Sequence, residues 1–153
     1  MNIFLADEQD VPLSTEPLRR FAQVVLEAEG LPSDTEVAIL LVTDDQMADY
    51  NKRFMNKEGP TDVLAFPLEE LEPGVAPSPV GDAPFSLGDV IIAPGYVRGM
   101  TTERETDLDS ELALMVAHGL LHLLGYDHGN DQDAATMEGR ERELLAQIGV
   151  ERT

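Results

Sequence analysis

The chain has 153 residues, 42% of them hydrophobic, no cysteine and a formal charge of −20. That length suits one domain, residues 1–153, able to bury about two-thirds of its unfolded surface. The missing cysteines exclude a disulfide framework and a thiolate metal site, and the acidity argues against a general polyanion binder, whose footprint is a basic face. The opening residues, Met1 to Asp7, carry neither a basic leader nor a long apolar run, so no signal peptide is expected. No segment approaches the roughly twenty apolar residues of a membrane span, and cytoplasmic residence is expected.

In chain order, Met1 to Leu5 read as a first strand. Ser14 offers an N-cap, with Glu16 and Pro17 in the opening turn, for a helix running to Glu29 and stopped by Gly30. Val37 to Val42 is a short, branched apolar run, a buried strand. Asp44 or Asp45 caps a second helix through about Phe54. The turn Glu58-Gly59-Pro60 leads to a strand at Val63 to Phe66, ended by Pro67. Residues 68–86, acidic and rich in proline and glycine, read as a mobile surface loop, and Leu87 to Ala93 as another strand. Thr106 with Asp109 gives a capping-box signal for the next helix. From Leu112 to Leu124 that helix is apolar on nearly every face and belongs in the core. The last helix runs from Asp131 to about Ile148, with Gly149 as its stop. Short strands mixed with helices place the chain in the α/β (α+β) class.

The three histidines of the chain fall within eleven residues, as H-x-x-x-H-x-x-G-x-x-H from His118 through His122 to His128. Imidazoles four residues apart on a helix share a face, one turn above the other. Gly125 can take the left-handed conformation that ends a helix, and the reversed chain can bring His128 back. Three nitrogen ligands with a fourth position open describe a catalytic rather than a structural zinc site. Imidazole suits zinc best, although nickel, copper and iron accept the same ligands. The spacing also occurs in the metzincin peptidases, where a glutamate after the first histidine is the general base. Here that position is Gly119, so a zincin-type peptidase lacks its base.

The motif His118-Gly119-x-Leu121-His122-Leu123-x-Gly125-Tyr126-Asp127-His128 resembles the signature of the YbeY family of bacterial rRNA maturation factors. Lys57 to Pro67 is similar to that family's second motif, and Leu87-Gly88-Asp89-Val90-Ile91-Ile92 to its third. The resemblance implies a compact single metallo-hydrolase domain. In it a small four-stranded mixed sheet packs with about five helices, one of them a zincin-like metal helix. It further implies a zinc ion held by His118, His122 and His128, and a single-strand-specific metallo-endoribonuclease. Its substrate would be ribosomal RNA, notably the 3′ end of the small-subunit species, with a part in ribosome quality control. Ribosomal particles or ribosomal proteins are the partners implied.

The chain departs from the family pattern at Met55, where members often carry an arginine. Lys57 and Arg53, in the run that holds both lysines of the chain, are the candidate catalytic residues that would stabilise charge on the phosphodiester. Asp62, Asp89 and Asp127 are candidates to orient an imidazole, and Glu111 lies two turns before His118 on the same helical face, where a solvated helix start accounts for it equally well. Two other functions stay open: a ribosome-assembly factor whose zinc mainly stabilises the fold, and a peptidase-like zinc hydrolase.

Overall fold

A computed structural model describes residues 1–77 and 83–152. Within them the chain forms β1 (Asn2–Asp7), α1 (Glu16–Ala28), β2 (Glu36–Leu41), α2 (Asp44–Met55), β3 (Val63–Pro67), β4 (Ser86–Ile92), α3 (Pro94–Arg104), α4 (Leu108–Leu123) and α5 (Asp131–Ala146). The strands make one four-stranded mixed sheet, as expected, and its order is β1-β2-β4-β3. β1, β2 and β4 run parallel, and β3 lies antiparallel to β4 at the edge.

Strand alternation divides the apolar residues between the two faces of the sheet. Val37, Ile39, Leu41, Val90 and Ile92 join the main core with α1, α4 and α5, whereas Leu64 and Ile91 pack with Val42 and Met47 on the opposite face, under α2. α4 crosses beneath β3 and β4, and eleven of its sixteen residues are buried. It is therefore a core helix. The close approach depends on Gly119: a Cβ there would lie 2.5 Å from Val90 Cγ1.

The helix starts shift by one residue from their sequence signals. Thr15, not Ser14, precedes α1, and it makes no side-chain cap bond. Thr43, rather than Asp44 or Asp45, caps α2: its hydroxyl accepts from the Gln46 amide while the Gln46 side chain accepts from the Thr43 amide. Asp107, rather than Thr106, caps α4 by accepting from the Ser110 amide at 2.8 Å. In each case the competing residues are small, polar and adjacent, and tertiary placement decides which one takes the cap. α3 was not expected at all. Gly95, Gly99 and two threonines give it weak propensity, and it is held instead by burial of Val97 and Thr101 after Pro94 in its first turn.

Of the stretch expected to be a loop, Leu71 packs against the main core, Ser86 already belongs to β4, and residues 78–82 lie outside the described residues. Among the described residues no helix is long and apolar enough to cross a membrane.

Candidate metal centre

The chemistry-bearing residues gather where α4 ends. His118 and His122 stand one turn apart on α4, half-buried, on the side facing β3 and the turn that precedes it. The helix then closes in a Schellman turn: the Tyr126 amide donates to Leu121 O at 3.0 Å and the Gly125 amide to His122 O at 3.1 Å. Gly125 has φ +97°, and a Cβ on it would sit 2.0 Å from the backbone oxygen of Leu71. Only glycine meets both conditions. Tyr126 is buried in the core on the far side of the turn, and its hydroxyl points to Glu29, which also takes Arg140 from α5. Pinned in this way, the chain doubles back and places His128 against the other two rings.

The ring centroids lie 4.6 Å (His118–His122), 5.0 Å (His122–His128) and 5.4 Å (His118–His128) apart. One ligand nitrogen from each falls within 4.8 Å of the others, so the triad could hold a metal ion.

The surroundings suit a ligand role. Burial pushes the His122 imidazole below its ordinary pKa, and the neighbouring rings of His118 and His128 act in the same sense. The neutral ring is the form that binds metal. His118 Nδ1 lies 2.8 Å from Glu141 Oε2, and the second oxygen of Glu141 accepts from Arg152 Nε at 2.9 Å. Burial works to raise the Glu141 carboxyl, but the bonds from His118 and Arg152 outweigh it and hold the group below the usual carboxylate range. An ionised carboxylate only accepts, so in the neutral ring, the form that binds metal, the proton of His118 sits on Nδ1 and Nε2 carries the free lone pair.

Sequence reasoning missed Glu141. It is 23 residues from His118, on another helix. The available signal was a carboxylate on the apolar face of α5, one turn from Met137 and from Leu144 and Leu145, all buried.

The candidate orienting aspartates are placed otherwise. Asp127 Oδ1 accepts from the His128 amide and shapes the loop. Asp62 Oδ1 accepts from the Val63 amide at the start of β3. Asp89 is exposed on the α2 side of the sheet, paired in register with Phe66. Glu111 is buried in the first turn of α4, two turns from His118.

The triad opens on a cleft of about 470 Å³ whose walls include Lys57, Asp62, Met55 and the β3 residues Val63 to Ala65. Lys57 reaches it through a turn fixed by two features. Asn56 takes a left-handed conformation at the end of α2, and the buried Asn51 amide donates to Gly59 O at 2.9 Å. Met55, at the position where the family pattern often has an arginine, forms part of the wall. Arg53 is not brought to the cleft. It pairs with Asp49 at 3.1 Å on the exposed side of α2 and lies over the Phe54 ring.

Fold and site together define a mixed α/β protein with a cleft-side histidine triad able to hold a metal ion. Comparison with known proteins gives the family. The model of the family described as endoribonuclease YbeY matches residues 4–149, and the chain belongs to that family. It is 41% identical over 146 residues to the endoribonuclease YbeY of Thermobifida fusca, covering 95% of this chain and 93% of that one. It is 37% identical to the endoribonuclease YbeY of Mycobacterium sp. strain KMS, covering 95% and 82%. A Thermotoga maritima protein solved in solution has the same fold, with TM-score 0.62 and 24% identity over 95% of this chain and 91% of that one.

Proposed function

We propose that the protein is a single-domain, zinc-dependent endoribonuclease that cleaves single-stranded RNA. Its physiological substrate is ribosomal RNA, in 3′-end maturation of the small-subunit species and in ribosome quality control, and its setting is the cytoplasm among ribosomal particles. The observation that carries this reading is the histidine triad opening onto the cleft instead of being sealed in the core. A structural site closes all four positions with protein ligands, whereas a catalytic one leaves a position on the substrate side. His118, His122 and His128 are the residues that would hold the ion. When bound, zinc supplies Lewis acidity toward a phosphodiester oxygen and toward water.

The chain's own residues do the rest. Glu141 fixes the tautomer and plane of His118. Asn51 and the Asn56 turn hold Lys57 over the cleft, where its ammonium meets the phosphodiester and offsets negative charge as it develops. Lys57 and Asp62 balance one another among the described residues lining the cleft. The site is thus locally near neutral in a chain of charge −20, so the cleft is less acidic than the chain as a whole.

The peptidase alternative loses further support. Gly119 lacks a carboxylate, and Val90 occupies the space where its Cβ would begin.

The test is cleavage of an unstructured RNA by zinc-loaded protein. His118→Ala should abolish it and Lys57→Ala should lower kcat, with both variants folded by circular dichroism. Unchanged cleavage by His118→Ala would refute the assignment. Zinc-loaded wild type that is inert on RNA but binds ribosomal particles would favour the assembly-factor reading. A 2′,3′-cyclic phosphate on the product would identify the 2′-hydroxyl as the attacking group.

A further inference from the structure

Edge strand β3 separates the histidine cleft from a second surface. On its α2 side, Phe66 meets Phe54 edge-on at 5.3 Å between centroids, and Phe54 stacks on Tyr50 at 6.1 Å. Phe54 is 55% exposed and its ring is held by these two rings, so little freedom is left to lose on contact with a ligand. The Arg53 guanidinium lies 5.3 Å from its centroid. Lys52 is exposed in the same turn, and the next residue after Phe54, Met55, already belongs to the cleft wall. Lys52, Arg53 and Lys57 are three of only ten cations in the chain, collected within six residues.

We propose that the Tyr50–Phe54–Phe66 face with Arg53 is a stacking platform for the single-stranded RNA segment flanking the one held in the cleft. The proposal rests on the endoribonuclease reading and adds to it where the rest of the strand lies. An exposed aromatic ring with a guanidinium beside it suits a base and its phosphate, whereas an apolar protein partner would have to desolvate Arg53. The Asp49–Arg53 pair is exposed on both sides, so exchanging Asp49 for a phosphate costs little. The arrangement also gives single-strand preference a physical basis, since bases stacked within a duplex have no face to offer the Phe54 ring.

The test uses metal-free full-length protein, so that no cleavage occurs, and a fluorescein-labelled unstructured oligoribonucleotide read by anisotropy at low salt. Phe54→Ala should weaken binding about tenfold, the loss expected for one stacked base, with Phe54→Trp restoring it. Arg53→Gln should reduce the slope of log K against log salt by about 0.7, the contribution of one phosphate contact on a single strand. Phe4→Ala, at a similarly exposed phenylalanine on the far edge of the sheet, should bind like the wild type. RNA binding by wild type and Phe54→Ala with equal affinity would overturn the platform and leave the nuclease reading standing. So would an equal loss in Phe4→Ala. Wild type that neither binds nor, with zinc, cleaves this RNA would overturn both.

Discussion

Truncating Glu141 to alanine tests whether the buried carboxylate works on the metal centre or merely on the fold. Its side chain is 1% exposed and accepts two charge-assisted bonds, from His118 Nδ1 at 2.8 Å and from Arg152 Nε at 2.9 Å. Bonds to charged groups are each worth about 1.5–3 kcal/mol. The Arg152 side chain is about one-fifth exposed and lies 3.7 Å from Glu138, so it is left partly solvated and partly paired. The stability loss for Glu141→Ala should therefore be about 2–3 kcal/mol, below the 3–5 of a fully buried broken pair. The effect on the triad is separate. Without its acceptor, the His118 ring is free to change tautomer and plane, and zinc affinity should fall about 10–100-fold.

Glu141→Gln sharpens the test. A glutamine has one acceptor oxygen where two donors, His118 Nδ1 and Arg152 Nε, need one each, so its zinc affinity should lie between those of wild type and alanine. Chelator competition measures the affinity, and denaturant unfolding of the metal-free protein measures the stability. Zinc held by Glu141→Ala as tightly as by wild type, together with the stability loss, would refute the orienting role and leave Glu141 a purely structural group.

Two further outcomes follow from packing and capping. Gly119→Glu restores the residue a zincin peptidase would carry, yet its Cβ meets Val90 at 2.5 Å. It should destabilise the fold by about 1–3 kcal/mol through overpacking and yield no peptide hydrolysis, checked by denaturant unfolding and a fluorogenic peptide. Asp107→Ala should cost α4 about 1 kcal/mol as a lost N-cap, with Asp107→Asn close to wild type near neutral pH. The Ser110 amide and hydroxyl hold the Asp107 carboxyl below its ordinary value of 3.8. Its ionised form therefore adds stability that is complete above that value and is lost as pH falls through the lowered one. Asparagine cannot titrate, so thermal melting of Asp107→Asn between neutral pH and pH 3 should fall less steeply than that of wild type.

What the sequence revealed and what it hid have the same physical origin. The strands were legible because their branched apolar runs are short and flanked by turns. The histidine turn was legible because its spacing is governed by one helix and one glycine: His118 and His122 share a face by periodicity alone, and Gly125 is the residue that a φ of +97° against the Leu71 carbonyl demands. α3 was hidden because its own residues disfavour a helix and tertiary burial decides the matter. Glu141 was hidden because its partner lies on a different helix, and no local pattern records a contact across 23 residues.

Arg53 and Lys57 show where periodicity stops being a guide. They are four apart, like His118 and His122, and the same rule would set them side by side. The rule holds only while the helix continues, and α2 ends at Met55, where Asn56, at φ 54°, reverses the chain. Lys57 is carried into the cleft by that turn, while Arg53 stays on the outer face over Phe54. One basic run is thereby divided between two surfaces on either side of β3. Under the proposed function one of its cations is available to the reacting phosphodiester, and under the proposed platform the other is available to the strand beyond it.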